Sequence, residues 1–301
     1  MKSMKLILPL VLLAFAAGAQ GKLAGKNVIL VHGLQIDDLG NPPSSQQEVE
    51  QNGADYWRAF WLARSEARVD FSSTERLEGG IAQRAFNQLA AISQQGLCDQ
   101  GCVLVTHSTG DLVARHFLDN QQRWLSNAGL QPLDIIASLD FAGAGGGSEL
   151  ADLAVNAANG GVLGFLGEFA LDAFLGTSDL QELGVINDLQ PAVARNIATS
   201  PNSIPRLRFV GGGSEQFNFA RAPLLPGKDD GTVAIHSTCG ATQADSFKSC
   251  VDGLALDGEL TNVDAPDSLY FNHFPVLLSD DTNHSEVIDN TTGNEMTVLA
   301  N

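Results

Sequence analysis

The chain has 301 residues, of which 44% are hydrophobic and 17% charged. This length and apolar content suffice for one large domain or two small ones, and they exclude a short disulfide-stapled peptide and a disordered chain. The 35 acidic residues outnumber the 17 lysines and arginines and give a net charge of −18, so we expect no nucleic acid partner.

Residues 1–19 are typical of an export signal. Lys2 and Lys5 give it a positive start, Leu6–Phe15 an apolar centre and Ala17–Ala19 a small-residue cleavage site. The apolar run is shorter than the ~20 residues that a membrane-spanning helix needs, and an uncleaved membrane anchor is the alternative. We therefore predict a protein that is secreted or periplasmic and has no stable membrane insertion.

The four cysteines are even in number and form two local pairs. In the oxidising compartment that export implies, this pattern favours Cys98–Cys102 and Cys239–Cys250 disulfides, although other pairings stay open. A metal clip at the first pair is the alternative. Zinc needs about four ligands, however, and no histidine lies nearby in the sequence.

Strand and helix patterns alternate along the rest of the chain. Helical spacing predicts helices near Tyr56–Trp61, Ile81–Ile92 and Leu112–Leu118, and we interpret the aromatic face of the first as core packing rather than an acyl-binding surface. Residues 35–48 are polar and predict a loop. Because parallel strands need crossover helices, the alternation implies an α/β fold with a mostly parallel sheet flanked by helices. Strands are predicted over Lys26–Leu34, Val69–Ser73, Cys102–His107, Leu133–Leu139 and Arg206–Val210.

The alternation is interrupted by an insertion rich in Gly, Ala and Leu, from about residue 144 to residue 204. Within it, Val162–Ala173 follows helical spacing, with glycines on either side. An apolar helix of this kind above a sheet predicts a cap, or lid, that opens and closes and can contact a lipid interface. Plain structural packing of these helices is an equal alternative.

Ser108 stands between a predicted strand and a predicted helix. A sharp strand-to-helix turn exposes a hydroxyl, and small residues two before and two after it prevent backbone collisions. Gly110 meets this requirement. Thr106 occupies the position where a glycine is usual, and its β-branched side chain should tighten the turn. We predict that Ser108 is a nucleophile.

A serine hydroxyl needs a base that takes its proton. His284 lies in a polar loop between apolar segments and is the predicted base, with His273 as the alternative. His107 is on the turn itself and is predicted to point away, and His116 is predicted on the surface of the following helix. The remaining two histidines, His32 and His236, are interpreted as structural residues.

The base in turn needs a carboxylate that orients it. The polar segment Lys228–Val233 follows a predicted strand, and Asp230 within it precedes a glycine. Asp230 is therefore the predicted acid. Its neighbour Asp229 and the strand-end residue Asp140 are alternatives, and a plain turn is the structural interpretation of the segment.

The order Ser108, Asp230, His284 is that of α/β-hydrolases. The chain also resembles that fold family, especially its bacterial secreted lipases and esterases, over most of residues 24–290. The segments that carry the resemblance are Val31–Leu34, Thr106–Gly110, Ala142–Ser148, Asp230–Val233 and Asn283–Val287.

The resemblance implies two further features. The backbone N–H groups of Leu34 and Thr109, which follow His-Gly and the nucleophile, would form an oxyanion hole. Relatives bind structural calcium near the histidine loop, for which Glu286 and Asn290 are weak candidates. Since no matching acid lies between residues 206 and 213, we expect no required cofactor.

These residues predict a secreted serine hydrolase that cleaves carboxylic esters, as a lipase or carboxylesterase, through an acyl-enzyme. The expected partner is a small-molecule or lipid ester. The same triad could act on a polyester, thioester, phospholipid or amide, and a non-catalytic binding protein is the alternative from another class. The expected architecture is one α/β-hydrolase domain over residues 20–301 with a helical cap at about 144–204.

Overall fold

A computed structural model of the protein describes residues 23–161, 183–197, 204–213, 224–239, 276–279 and 282–289. Within these ranges the centre is a sheet of six strands in the order β2-β1-β3-β4-β5-β6, in which each pair of neighbours is parallel. The strands are β1 (Asn27–Val31), β2 (Ala67–Val69), β3 (Cys102–His107), β4 (Ile135–Phe141), β5 (Arg206–Gly211) and β6 (Val276–Ser279). The predicted signal peptide lies outside the described residues.

Helices connect and flank these strands, as the alternating pattern predicted. The helices are α1 (Ile36–Gly40), α2 (Gln46–Leu62), α3 (Ala82–Gln94), α4 (Thr109–Asn127), α5 (Glu149–Ala158), α6 (Pro191–Ala194), α7 (Ile235–Thr238) and α8 (Glu286–Asp289). Shorter helical turns lie at Leu23–Gly25, Leu77–Ile81 and Gly184–Asn187.

The prediction of a loop over residues 35–48 is wrong in part, because α1 and the start of α2 lie within it. α2 begins after Ser45, whose side chain accepts a hydrogen bond from the backbone N–H of Glu48 (3.2 Å). The carboxylate of Glu48 in turn accepts from the backbone N–H of Ser44 (2.7 Å). These caps stabilise a polar first turn that has no apolar periodicity to reveal it.

The sheet is buried on both faces at its centre, which explains why β1 and β3 are nearly continuous apolar runs. On one face, Ile29, Val31 and Leu104 belong to the core that α3 and α4 cover. On the other, Val28 and Leu30 share a core with the aromatic residues of α2. The interpretation of the aromatic face as core packing is confirmed for Trp57 and Trp61, which are 2% and 1% exposed. Tyr56 is only partly buried.

The described flanks of the insertion pack into the body of the domain. Leu150, Ala154 and Ile186 are all buried in the main core. Arg76 donates from Nη2 to Asp188 Oδ1 (2.6 Å) and from Nε to both carboxylate oxygens (3.0 Å each), which fastens the second flank to the segment before α3. The apolar helix predicted within the insertion lies outside the described residues, and the lid therefore stays a prediction.

The disulfide between Cys98 and Cys102 is present and closes the turn from α3 into β3. Cys250 lies outside the described residues, so its pairing with Cys239 stays a prediction. Among the helices of the described ranges, none has the length and apolar character needed to cross a bilayer.

Candidate active site

Ser108 lies at the junction of β3 and α4 with φ 55° and ψ −126°. A non-glycine residue rarely adopts positive φ, and here the surrounding backbone holds it there. The N–H of Ser108 donates to the carbonyl of Phe141 (3.1 Å), and its own carbonyl accepts from Ala144 N (2.9 Å). The predicted sharp turn is therefore present, at the carboxyl end of the parallel sheet.

The small residue that the turn requires is Gly110. A Cβ at this position would lie 2.1 Å from the carbonyl oxygen of Val31, which no side chain can tolerate. Thr106 does not obstruct the turn, because its hydroxyl donates sideways along the sheet to Asp140 Oδ1 (3.0 Å). A β-branched residue is thus accommodated where a glycine was expected.

His284 and Asp230 are joined by hydrogen bonds at two points. His284 Nδ1 lies 2.7 Å from Asp230 Oδ2, and the N–H of His284 donates to the carbonyl of Asp230 (3.0 Å). The other carboxylate oxygen accepts from Thr232 N (2.9 Å) and Val233 N (2.7 Å). Because a carboxylate only accepts, Nδ1 carries the proton and Nε2 is left as the basic nitrogen.

The two alternative acids have other partners. Asp229 Oδ1 accepts from Gly231 N (2.8 Å) and so closes the turn. Asp140 accepts from Thr106 and from Arg206, the latter at 2.6 Å. The structure therefore brings Asp230, and neither alternative, to His284. The alternative base, His273, lies outside the described residues.

The predicted oxyanion residues are Leu34, which directly follows Gly33, and Thr109, which directly follows the nucleophile. A Cβ on Gly33 would lie 2.7 Å from Cβ of Ser108, so the loop that leads to Leu34 runs directly beside the serine. Thr109 is the first residue of the 19-residue helix α4. The first amides of a helix have no acceptor within it and carry its positive dipole end, which suits them to an oxyanion.

His32 shapes the loop that carries Leu34, as its sequence position indicated. Its Nε2 accepts from Phe71 N (3.1 Å), and its ring stacks on that of Phe71 at 4.2 Å between centroids. Burial lowers the pKa of His32 to about 4, against a smaller opposing effect of its hydrogen bond to the Gly33 carbonyl. The ring is therefore neutral at ordinary pH.

The prediction that His107 points away is wrong. Its Nε2 lies 2.8 Å from the carbonyl oxygen of His284, and the two rings are 4.8 Å apart between centroids. Its Nδ1 is hydrogen-bonded to the hydroxyl of Tyr56. The contact joins residues far apart in the sequence, so no local pattern could have revealed it.

His116 is buried on α4, not on the surface as predicted. It packs beside Trp124, whose ring centroid lies 5.7 Å away. Burial lowers its pKa. His236 has the partners expected of a structural histidine, because its Nδ1 lies 2.7 Å from Arg195 and its Nε2 3.1 Å from Glu149.

A buried charged network, which the sequence did not suggest, lies under the turn. Asp111 in the first turn of α4 accepts from Arg115 Nε (2.9 Å) and from Arg206 on β5 (3.0 Å). Arg206 also pairs with Asp140 on β4 (2.6 Å). Burial pushes the pKa of Asp140 upward, but the Arg206 charge and the Ser138 hydroxyl outweigh it, and the pKa lies below its ordinary value. This network fastens the nucleophile helix to two strands.

The Gly-rich segment from Ala142 to Ser148 passes close to the same helix turn. A Cβ on Gly143 would lie 2.7 Å from the carboxylate of Asp111, and one on Gly146 would lie 2.9 Å from the backbone of Ser237. The N–H of Gly145 donates to Asp111 Oδ2 (3.1 Å). Small residues are thus needed here for close packing around the nucleophile turn.

The weak calcium candidate Glu286 already has a structural partner. Its carboxylate accepts from Asn283 N (3.1 Å), and the side chain of Asn283 caps α8 by accepting from Ser285 N and Glu286 N. Asn290 lies outside the described residues. Within the described ranges, no three His, Cys, Asp or Glu side chains are grouped as a metal site.

A cavity of about 480 Å³ adjoins the oxyanion loop. Leu34 and Tyr56 line the part of it next to the residues described above. Apart from Ile36, the remaining lining is polar and includes the carboxylates of Asp37, Glu48 and Asp55. A substrate group that enters this space meets negative charge, which favours neutral or cationic groups.

No protein-family model and no curated protein sequence matches the chain. Among solved structures, the mature lipase BlEst2 of Bacillus licheniformis is similar with a TM-score of 0.51 and 16% identity, over 91% of each chain. Lipase 1 of Pelosinus fermentans gives a TM-score of 0.47 at 14% identity, over 91% of this chain and 97% of that one. Phospholipase PlaB of Legionella pneumophila gives 0.41 at 16% identity, over 71% of this chain and 45% of that longer one.

The similarity to BlEst2 and the parallel sheet together show that this chain has the α/β-hydrolase fold, so the fold predicted from the sequence is confirmed. An identity of 16% supports the fold alone. What the site does must be inferred from its own residues.

Proposed function

We propose that the protein is a serine hydrolase that cleaves carboxylic esters through an acyl-enzyme. The observation that carries this proposal is the 2.7 Å hydrogen bond between His284 Nδ1 and Asp230 Oδ2, on a loop held against the residue that precedes Ser108. A basic Nε2, an orienting carboxylate and a serine on a strained turn are the parts that acyl transfer needs.

In the first half of the reaction, Ser108 Oγ attacks the ester carbonyl carbon and its proton passes to His284 Nε2. The carbonyl oxygen becomes an oxyanion, which the N–H groups of Leu34 and Thr109 stabilise. Asp230 stabilises the imidazolium that has formed. The intermediate then expels the alkoxide, which leaves as the alcohol after it takes the proton from Nε2.

In the second half, water attacks the acyl-enzyme and gives a proton to the same Nε2. A second oxyanion forms in the same place and collapses to release the acid. The proton on Nε2 returns to Ser108 Oγ. One base therefore serves both halves, and no group outside the chain is needed to balance the protons.

An ester is the favoured substrate because an alkoxide leaves more readily than an amide anion. The similar fold of a bacterial lipase supports the same class. The acidic cavity beside Leu34 favours neutral or cationic substrate groups over anionic ones. The signal peptide and the export of the protein complete the proposal, together with a lid within the insertion of residues 144–204. The packed flanks of that insertion are not part of the lid. Lipid esters are the substrates that a lid would suit.

A fluorophosphonate probe tests the mechanism, since it phosphonylates only an activated serine. We expect stoichiometric labelling at Ser108 and loss of labelling in Ser108→Ala, in a protein that melts at the wild-type temperature. An unlabelled but folded wild-type protein would contradict the proposal and favour a binding protein with a hydrolase fold.

Nitrophenyl esters of increasing chain length test the substrate class. A preference for long chains, with a rise in rate once the substrate exceeds its solubility, is the result expected of a lipase with a lid. A preference for chains of two to four carbons would indicate an esterase and would remove the lid from the proposal.

A further inference from the structure

The base His284 is held by its backbone as well as by its ring. Its N–H donates to the carbonyl of Asp230 (3.0 Å), and its carbonyl oxygen lies 2.8 Å from His107 Nε2. Its Nδ1 bonds to Asp230 Oδ2. The peptide groups on both sides of the base are therefore anchored, one by the predicted acid and the other by a residue with no assigned role.

The proton positions on His107 follow from its two partners. A carbonyl oxygen only accepts hydrogen bonds, so Nε2 of His107 must carry a proton and donate to His284. The hydroxyl of Tyr56 then donates to Nδ1, which fixes this tautomer. The chain of donors runs from Tyr56 through His107 to the backbone of the base.

We propose that His107, oriented by Tyr56, is a positioning residue that holds the backbone of His284 so that its imidazole stays aligned between Asp230 and Ser108. This inference rests on the proposed function. A base that must lie within hydrogen-bond reach of two groups at once tolerates little displacement, and a shift of ~1 Å can cost about 100-fold in rate.

A neutral histidine suits this role better than a charged donor would. The rings of His107 and His284 are 4.8 Å apart, and His284 becomes positively charged in the proposed transition state. Burial, and then the proximity of His284, lower the pKa of His107 well below its ordinary value. His107 can therefore donate a hydrogen bond without repelling the imidazolium beside it.

The first test compares three variants in steady-state hydrolysis of a short nitrophenyl ester. We expect His107→Leu, which fills the space but cannot donate, to lower kcat by about 100-fold with KM nearly unchanged. His107→Gln, whose amide nitrogen can reach the same carbonyl, should recover most of this loss. The matched control His116→Leu replaces another buried histidine of the same segment and should keep the wild-type kcat.

Two further variants separate positioning from general damage. In a His284→Ala background, His107→Leu should cause no additional loss, because its effect passes through His284. Tyr56→Phe keeps the aromatic packing and should cause a smaller fall in kcat than His107→Leu. Wild-type kcat in His107→Leu, no recovery in His107→Gln, or a further loss in the double variant would each overturn the proposal.

A readout without turnover keeps this inference distinct from the proposed function. In the NMR spectrum, the downfield resonance of the Nδ1 proton between His284 and Asp230 should broaden or disappear in His107→Leu and persist in His116→Leu. An unchanged resonance in His107→Leu would overturn the positioning role. Absence of fluorophosphonate labelling in the wild-type protein would instead overturn the proposed function.

Discussion

Asp229 and Asp230 are adjacent, yet the turn gives them different tasks. The side chain of Asp229 accepts from Gly231 N and shapes the turn. One oxygen of Asp230 is held by two backbone N–H groups, which leaves the other free to meet His284. The sequence could offer both carboxylates, whereas the choice between them depends on the local hydrogen bonds.

Asp230→Asn should therefore reduce kcat by about 10⁴-fold, because the amide cannot stabilise the imidazolium and favours the wrong tautomer of the base. Asp229→Asn is the matched control. Its amide oxygen can still accept from Gly231 N, so kcat should stay near the wild-type value. Hydrolysis of a nitrophenyl ester measures both variants, and a loss confined to Asp229→Asn would show that the acid has been assigned wrongly.

His32 makes the stability of the fold depend on pH. Its pKa is about 4 in the folded protein and near its ordinary value of 6.5 in the unfolded chain, so the unfolded chain binds more protons between these values. The stabilisation from a neutral His32 is fully present above pH 6.5 and is lost as the pH falls towards 4. Asp70, whose pKa burial raises to about 6, contributes the opposite trend.

The difference between wild type and His32→Gln isolates the histidine contribution. Between pH 7 and pH 5, the wild-type protein should lose about 2 kcal/mol more of its free energy of unfolding than the variant loses. Urea unfolding at the two pH values measures this difference. Identical losses in the two proteins would contradict the prediction that burial lowers the pKa of His32 and keeps its ring neutral.

The strand β3 and the helix α4 form the turn that presents Ser108, and two kinds of contact hold it. Gly110 lets the helix approach the end of β1, where the Val31 carbonyl lies. The buried network around Asp111 fastens the first turn of α4 to β4 and β5. Removing one partner of a buried ion pair typically costs 3–5 kcal/mol of stability, so we expect substitutions in this network to displace the turn.

Gly110→Ala should disrupt this arrangement, because the new Cβ would lie 2.1 Å from the Val31 carbonyl oxygen. The backbone has to shift, and we expect a loss of about 1–3 kcal/mol in the free energy of unfolding together with a fall in kcat. Gly40→Ala is the control, since a Cβ there meets nothing within 4 Å. Chemical denaturation measures both, and equal effects would contradict close approach as the reason for Gly110.

The architecture separates the candidate site from the crosslink. Ser108 follows the last residue of β3, whereas Cys102 is the first residue of that strand. A strand rises about 3.3 Å per residue, so the disulfide lies at the amino end of β3 and the proposed chemistry at its carboxyl end. The crosslink should therefore act on stability and not on catalysis.

Replacement of Cys98 and Cys102 by alanine should lower the free energy of unfolding by about 2 kcal/mol, the loop-closure entropy expected for so short a loop. The values of kcat and KM should not change. Urea unfolding and ester hydrolysis measure the two effects. A large fall in kcat at unchanged stability would mean that the disulfide at the amino end of β3 affects catalysis at its carboxyl end.

Much of the fold could be predicted from the sequence because its signals are local. The strands β1, β3, β4 and β5 were predicted close to their observed bounds. The predicted strand Val69–Ser73 was wrong in its bounds, because it shares only Val69 with β2, a short strand without a continuous apolar run. The strand β6 was not predicted, since four residues beside a polar loop carry too little pattern. The helix α1 was missed because its five residues carry only two apolar side chains, Ile36 and Leu39, which is too little pattern to predict a helix.

The residue types available for chemistry can be read from the sequence, and their order along the chain indicated the fold and the candidates Ser108, Asp230 and His284. That Asp230 rather than Asp229 contacts the base, and that the side chain of His107 lies against it, follows from the three-dimensional packing. These contacts join segments that are distant along the chain. Their geometry is set by the packing of strands and loops at the carboxyl edge of the sheet, which no local pattern records.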